Sequence, residues 1–169
     1  MDIGRFWQII DGARARAKGD QGAMLEEMSR ALEALAPPDI ASYQEHFDAL
    51  VRGAYRWDLW GAAYIMNGGC SDDGFEYFRY WLIAMGRGVH ENAMRDPDSL
   101  AGVAAALDEE GFEFESFGYV AQQVYEEKAG KEMPRATVKH PAEPAGERWE
   151  EDGDDLARRF PKLWKKYAE

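Results

Sequence analysis

The chain has 169 residues, enough for one domain with a tail, and 46% of them are hydrophobic, including six Trp, eight Tyr and eight Phe, which excludes intrinsic disorder. Its net charge of −12 at pH 7 argues against binding to nucleic acid or to anionic lipid, because an acidic surface repels phosphates. Cys70 is the single cysteine, which excludes an internal disulfide and a thiolate zinc cluster.

The residues at the N-terminus and the lengths of the apolar runs indicate where in the cell the protein is located. Met1 is followed by Asp2, where a signal peptide would have basic residues, and the apolar runs are short. We therefore expect no membrane segment and a cytoplasmic location. Basic and acidic residues are equal in number from Arg135 onward, so residues 1–134 carry the whole negative excess. A basic protein partner is compatible with such a surface but is not implied by it.

Apolar residues three and four positions apart predict three amphipathic helices in the first third of the chain. The first helix runs from a cap at Asp2 to about Arg16, and the second ends before Pro37. The third, for which Asp39 is the predicted cap, carries an aromatic stripe as far as Ala54. Each of these helices is expected to bury one face.

The helix predicted from Asp58 to about Met66 is apolar nearly all round. Only a narrow strip near Asp58 is polar, so this helix should be central and largely buried. The Asn-Gly-Gly run at residues 67–69 ends it, because glycine readily adopts the left-handed conformation. Ser71 then caps the next helix.

The helix that follows begins with Asp72 and Asp73, whose charges complement the helix dipole. It buries an aromatic face with Trp81 at its edge. The side chains of Asp72, Glu76 and Tyr80 are expected on the opposite face.

Glycines interrupt the periodic pattern after this helix, and the later elements are shorter. A short segment to Met94 precedes an Ala-rich helix predicted over residues 97–107. Residues 109–115 are predicted to be a loop or a short extended piece. Ser116 opens the last core helix, which ends near Gly130.

These elements predict an all-α fold. We expect an irregular domain of six to eight helices over residues 1–130, a linker over residues 131–147 and a C-terminal tail over residues 148–169. The linker holds three prolines and has no apolar period. The tail is too apolar to remain in water, so it should pack back on the core as two short helices separated at Pro161.

Two specific strings lie in the central region. They are Trp-Asp-Leu-Trp at residues 57–60 and Gly-Gly-Cys-Ser-Asp-Asp-Gly-Phe at residues 68–75, followed by an aromatic run at residues 77–82. Together they resemble a bacterial family catalogued as domain of unknown function 4240. The resemblance extends from Asp2 to about Gly130. It implies a soluble bacterial protein and carries no activity with it.

Asp72 and Asp73 are adjacent carboxylates beside Cys70, and Glu76 is near them. Hard cations favour several oxygen donors, so these three acids are weak candidates for a metal site. Neighbouring helical residues point about 100° apart, however, and the helix dipole accounts for the aspartates. No metal and no cofactor is therefore predicted.

Cys70 precedes a helix N-terminus, where the dipole lowers the pKa of a thiol and a histidine base could complete a dyad. The flanking aspartates oppose a thiolate. His46, His90 and His140 lie at no diagnostic spacing from it. Because a lone cysteine is more often a small buried hydrophobe, no catalytic residue is predicted.

Asp58 must either cap its helix or be buried beside a cation, for which Arg56, Arg79 and Arg87 are the plausible partners. Arg79 could reach inward from the Phe75 edge of its own helix. A buried Asp–Arg pair is usually structural, but it is also a common polar feature of small-molecule pockets.

The favoured hypothesis is a non-enzymatic binding or interaction protein, one form of which is an acidic immunity- or inhibitor-like protein that covers a basic effector. The alternative is an enzyme, or a protein that binds a small ligand or a metal, with a cleft around Asp58, Cys70, Asp72, Asp73 and Arg79. The candidate pocket or interaction residues are Trp57, Asp58, Trp60, Asn67, Cys70, Asp72, Asp73, Arg79 and Trp81.

Overall fold

A computed structural model of the protein describes residues 1–103, 111–135 and 138–168, and within these ranges the fold is all-α. The α-helices are α1 (Ile3–Ala17), α2 (Gln21–Glu33), α3 (Pro37–Gly53), α4 (Trp57–Asn67), α5 (Asp72–Ala84), α6 (Arg87–Arg95), α7 (Val120–Ala129), α8 (Gly153–Arg159) and α9 (Pro161–Tyr167). Seven of them precede residue 131, within the predicted range of six to eight, and the two in the tail pack on the core. The described ranges contain no strand.

Aspartate side chains cap the first two helices, and of these caps the one at Asp2 was predicted. Asp2 accepts a hydrogen bond from the backbone N–H of Arg5 at 2.9 Å, and Asp20 accepts one from Ala23 at 2.6 Å. α1 ends at Lys18, which takes the left-handed conformation with φ 51°. The turn folds α2 back against α1.

The predicted cap of the third helix is wrong. α3 begins at Pro37, and the capping position is Ala36 rather than Asp39. Proline suits the first helical position because its φ is preset and the N–H it lacks would be unpaired there. Asp39 lies instead in the first turn of the helix.

α4 is the central helix, as predicted. It contacts α5, α9 and the 3₁₀ helix Pro97–Gly102, and its buried residues include Leu59, Ala62 and Ile65. The helix ends at Gly68, which has φ 67°. The Ser71 hydroxyl accepts the first hydrogen bond of α5, from the N–H of Gly74 at 3.1 Å.

Two predicted helices have other boundaries in the structure. The helix predicted over residues 97–107 is a 3₁₀ helix, Pro97–Gly102, in its first part, and residues 104–110 lie outside the described ranges. The helix predicted from Ser116 is preceded by a second 3₁₀ helix, Glu115–Gly118, and α7 begins only at Val120. The backbone at Gly118 lies against the Tyr80 ring, so close that a Cβ there would be 2.4 Å from it.

The tail docks on α4 and on the first 3₁₀ helix. Its buried side chains are Trp149, Leu156, Phe160 and Leu163. A Cβ on Gly61 of α4 would lie 2.7 Å from the Phe160 ring and 3.1 Å from Trp149, so only glycine lets the tail approach this closely. An isolated parallel bridge between Arg56 and Ala145 shows that the attachment begins inside the predicted linker.

Asp98 anchors the last helix. Its carboxylate, only 6% exposed, accepts hydrogen bonds from the backbone N–H groups of Lys162 at 3.1 Å and Leu163 at 2.9 Å. A residue 64 positions away therefore caps α9, whose own preceding residue, Phe160, provides no side-chain cap. In the described part of the chain, each helix is too short or too polar to cross a membrane.

Candidate functional site

Arg79 is buried, with 3% of its surface exposed. Its Nε donates to the carbonyl oxygen of Phe75 at 3.2 Å and its Nη1 to that of Val51 at 2.9 Å. The guanidinium lies 4.9 Å from the centres of both the Tyr55 and the Phe75 rings. Burial lowers the pKa of this side chain. Arg79 thus reaches inward, as predicted, but it binds backbone carbonyls and aromatic faces.

Of the three arginines named as plausible partners of Asp58, Arg56 forms the ion pair. The Arg56 Nε donates to Asp58 Oδ1 at 3.0 Å, and a second contact joins its Nη2 to Asp58 Oδ2. The Asp58 Oδ1 also accepts from the N–H of Leu59 at 2.8 Å, and Arg56 Nη1 donates to the carbonyl of Met94 at 2.9 Å. This half-exposed pair joins the start of α4 to α6.

The central aromatic residues stack on one another. The rings of Trp57 and Trp60 are 5.3 Å apart and 8° from parallel, and those of Trp60 and Phe75 are 4.9 Å apart and 11° from parallel. The Trp60 indole donates to the carbonyl of Cys70 at 3.0 Å. Because these faces cover each other, they leave little surface for a planar ligand.

A small cavity of about 120 Å³ lies between Trp57, Trp60 and Cys70 of the core and Arg148 and Trp149 of the tail. The Arg148 guanidinium covers the Trp57 ring at 5.1 Å. Three of the predicted site residues meet here, but the volume is below the 300–1,000 Å³ typical of ligand pockets.

Cys70 is half-buried, and burial, followed by the charge of Glu113, raises the pKa of its thiol to about 12. A thiol held protonated in this way is a poor nucleophile at neutral pH. The three histidines lie elsewhere. His46 contacts the carbonyl of Met1, and the rings of His90 and His140 pack against Trp7 and Tyr55.

Asn67 has a structural position at the end of α4. Its Oδ1 accepts a hydrogen bond from the N–H of Phe112 at 3.1 Å, which fixes the segment after the undescribed residues 104–110. The buried Nδ2 has no hydrogen-bond partner among the described residues. The side chain of Asn67 therefore has a structural role, because it anchors the backbone at Phe112 and is not directed toward the other predicted site residues.

Asp72 and Asp73 are exposed in the first turn of α5. Glu76 accepts a hydrogen bond from the Tyr80 hydroxyl at 2.6 Å, which leaves Tyr80 buried although it was expected to point outward. Among the described residues, no three His, Cys, Asp or Glu side chains are grouped to hold a metal ion.

The aspartates instead belong to a wider acidic surface. Glu115 is close enough to accept a hydrogen bond from Tyr77, which raises the pKa of Tyr77 to about 12, and the charge of Asp73 acts in the same direction. Burial raises the pKa of Glu113, which lies against Gly74. We call this surface the acidic tyrosine face, and its members are Asp72, Asp73, Glu76, Tyr77, Glu113, Glu115 and Tyr119.

Sequence reasoning missed four members of this face, Tyr77, Glu113, Glu115 and Tyr119. The signal available was the alternation of acidic and aromatic residues at positions 112–115, which by itself predicts only a loop. The hydrogen bond from the N–H of Phe114 to the carbonyl of Tyr77 at 3.1 Å brings this segment beside α5.

Trp81 lies apart from the other predicted residues. It is 5% exposed and lines a separate groove of about 370 Å³ between the end of α1, the start of α2 and the end of α5. Its ring packs edge-on against Phe112 at 5.2 Å. The nine candidates thus do not converge on one pocket. Some lie at the aromatic stack, some on the acidic tyrosine face and Trp81 in this groove, whereas Asp58 is paired with Arg56 and Asn67 accepts from Phe112.

A family model described as "Protein of unknown function (DUF4240)" matches residues 1–127. No curated protein and no solved structure matches the chain. The matched region contains all nine candidate residues and the whole acidic tyrosine face, whereas α8 and α9 follow it. The chain belongs to the DUF4240 family.

Proposed function

We propose that this DUF4240 protein is a non-enzymatic binding protein of the bacterial cytosol, and that it engages a basic protein partner through the acidic tyrosine face. One observation carries the proposal. Five carboxylates and two tyrosines share this face, and none of these carboxylates takes part in an ion pair between described residues. Their charge is therefore available to a partner.

Electrostatics and side-chain type both suit such a partner. Uncompensated negative charge steers a basic protein toward the face and raises the rate of association, an effect that salt suppresses. Tyrosine is enriched among residues that dominate binding energy, because it buries a large rigid surface and keeps a polar hydroxyl. Tyr119 is 44% exposed, so it offers apolar area beside the charges. An immunity- or inhibitor-like protein that covers a basic effector is one form of this function.

The chemistry-bearing side chains outside the face are committed to structural contacts, which favours binding over catalysis. Asp58 is paired with Arg56, Arg79 is held by two carbonyls, and the pKa of Cys70 is raised to about 12. The cavity that touches Cys70 holds only about 120 Å³. No observation favours the enzyme alternative specifically.

Affinity capture from native bacterial cytosol tests the proposal with three baits. They are the wild-type chain, a variant with Asp73→Lys and Glu115→Lys, and a control with Asp39→Lys and Glu45→Lys on α3. Both variants change the net charge equally, and all four positions are exposed. We expect the wild type and the control to retain a stoichiometric basic protein that the face variant loses, and that elutes as salt rises.

Two results would count against this function. One is the absence of any stoichiometric partner for the wild type. The other is a partner that the face variant retains as well as the control does, which would place its binding surface elsewhere on the protein.

A further inference from the structure

The groove beside Trp81 is a concave apolar site that none of the members of the acidic tyrosine face lines, although it adjoins that face at Phe114 and at Gln21, whose side chain donates to the carbonyl of Glu113 at 3.2 Å. Its volume of about 370 Å³ lies within the range typical of small-molecule sites. Its apolar wall includes Met24, Trp81, Ala84, Met85 and Phe114. Two methionines and two aromatic rings form an adaptable lining that accommodates aliphatic or planar groups of different shape.

The rim of this groove carries basic residues, although the protein as a whole is acidic. Arg14 and Lys18 line it, and neither forms an ion pair with a described residue. Asp20 is the acid that lines it, and its carboxylate caps α2 through the N–H of Ala23 at 2.6 Å. On a chain with a net charge of −12, two unpaired cations over an apolar floor complement an anion.

The backbone provides an independent indication at the same place. Lys18 has φ 51°, and in the described part of the chain it is the one residue other than glycine with a positive φ. Glycine or asparagine usually occupies this position after a helix, because a side chain with a Cβ is strained there. Such strain is concentrated at ligand-binding positions, and here it places a lysine on the rim of the groove.

We propose that this groove binds a small organic anion with an apolar body, of the class of medium-chain monocarboxylates. The apolar part lies against Met24, Trp81 and Phe114, and the carboxylate accepts charge-assisted hydrogen bonds from Arg14 and Lys18. The groove and the acidic tyrosine face share no lining residue, and the test uses small molecules and the purified chain, so it does not depend on the protein partner.

Three probes with the same ten-carbon chain separate charge recognition from apolar binding. They are decanoate, decanol and decyltrimethylammonium, titrated calorimetrically into the full chain below their micelle-forming concentrations. We expect saturable 1:1 binding of decanoate, weaker binding of decanol and the weakest binding of the cation. Because the whole protein is acidic, its long-range field favours the opposite order. NMR shifts of the amides of residues 18–21 should report the site.

Matched variants locate the binding. Arg14→Gln should weaken decanoate binding about threefold to fivefold, as expected for an exposed charge pair, whereas Arg5→Gln on the same helix should leave it unchanged. Lys18→Asn should weaken decanoate similarly without loss of thermal stability, because asparagine tolerates the left-handed conformation. This variant separates a binding role from a folding role.

A steric variant completes the test. Ala15 is exposed and lines the groove, so Ala15→Phe should fill it and abolish binding, whereas Ala49→Phe at an exposed position of α3 should not. The proposal is overturned if decanoate does not bind saturably, if the cation binds as tightly, if the Arg14 and Lys18 variants retain full affinity, or if Ala15→Phe leaves decanoate affinity unchanged.

Discussion

Replacing Gly61 with alanine reports on the packing of the tail against α4. A helical Gly→Ala substitution normally stabilises a protein by about 1 kcal/mol, because alanine restricts the unfolded chain and favours the helix. In this structure the new Cβ would lie 2.7 Å and 3.0 Å from two ring atoms of Phe160 and 3.1 Å from Trp149. Rigid aromatic rings on two sides cannot move away without disturbing their own packing. Overpacking of this kind lowers the free energy of unfolding by about 1–3 kcal/mol.

The clash should outweigh the helix propensity. We expect Gly61→Ala to lower the free energy of unfolding by about 1 kcal/mol, the difference between these two contributions. Urea denaturation followed by circular dichroism measures this change. Gly12→Ala is the matched control, because Gly12 is inside α1 and a Cβ there meets only the flexible end of Arg16 at 3.4 Å. That variant should be stabilised by up to about 1 kcal/mol.

A double-mutant cycle identifies the group responsible. In a Phe160→Ala background the two shortest contacts are absent and only the one to Trp149 at 3.1 Å remains, so the loss caused by Gly61→Ala should become much smaller. Stabilisation of the otherwise wild-type chain by Gly61→Ala, equal to that of Gly12→Ala, would refute the docking of the tail on α4.

Three further predictions follow from buried polar groups. Asp98→Ala should destabilise the protein by about 1–2 kcal/mol, because it removes the cap of α9, and should increase amide hydrogen exchange at Lys162 and Leu163. Equal exchange in the variant and the wild type would contradict this role. Burial lowers the pKa of His90 to about 4 from 6.5, so the unfolded chain binds more protons between these values. Stability should fall as the pH drops from about 6.5 to 4, by about 3 kcal/mol in all, and His90→Phe should remove this dependence in urea titrations at several pH values. With the pKa of Cys70 raised to about 12, its thiolate fraction at pH 8 should be roughly a thousandfold below that of free cysteine. Because a thiolate of higher pKa is intrinsically more nucleophilic, Cys70 should react with iodoacetamide roughly a hundredfold more slowly than free cysteine. A reaction as fast as that of free cysteine would restore the possibility of a nucleophile.

Local signals in the sequence were sufficient for most helix ends. Asp2 and Ser71 cap α1 and α5 as predicted, and Gly68 ends α4 in the left-handed conformation. Capping and glycine geometry depend on atoms within one helical turn. The central position of α4 was also predictable, because a helix that is apolar nearly all round must be surrounded by other elements.

The prediction failed where a partner from a distant part of the chain decided the outcome. Asp98 lies in the first turn of the 3₁₀ helix Pro97–Gly102, within the helix predicted over residues 97–107, but its carboxylate also caps α9, whose residue Lys162 is 64 positions away. Arg79 was one of three plausible partners of Asp58, but it donates to the carbonyl of Val51, 28 positions away. Hydrophobic periodicity predicts that a side chain is buried without identifying the groups that it meets.

For the candidate sites, too, the sequence indicated individual residues, whereas long-range contacts decided which residues lie together. The sequence indicated Asp72 and Asp73, but Glu113, Glu115 and Tyr119 join them only because the segment before α7 pairs with α5. Trp81 was predicted at the edge of a buried face, but the groove it lines exists only because the turn between α1 and α2 stands opposite the end of α5.

The amino-acid sequence by itself determined the all-α class, the family, most helix boundaries and the acidic character of the domain, because composition, periodicity and capping are local properties of the chain. The tertiary structure decided which polar groups are satisfied internally and which surfaces remain open. Those outcomes depend on long-range packing, such as the close approach of Phe160 to Gly61. No spacing along the chain specifies such a contact, because it forms only when all the helices have docked.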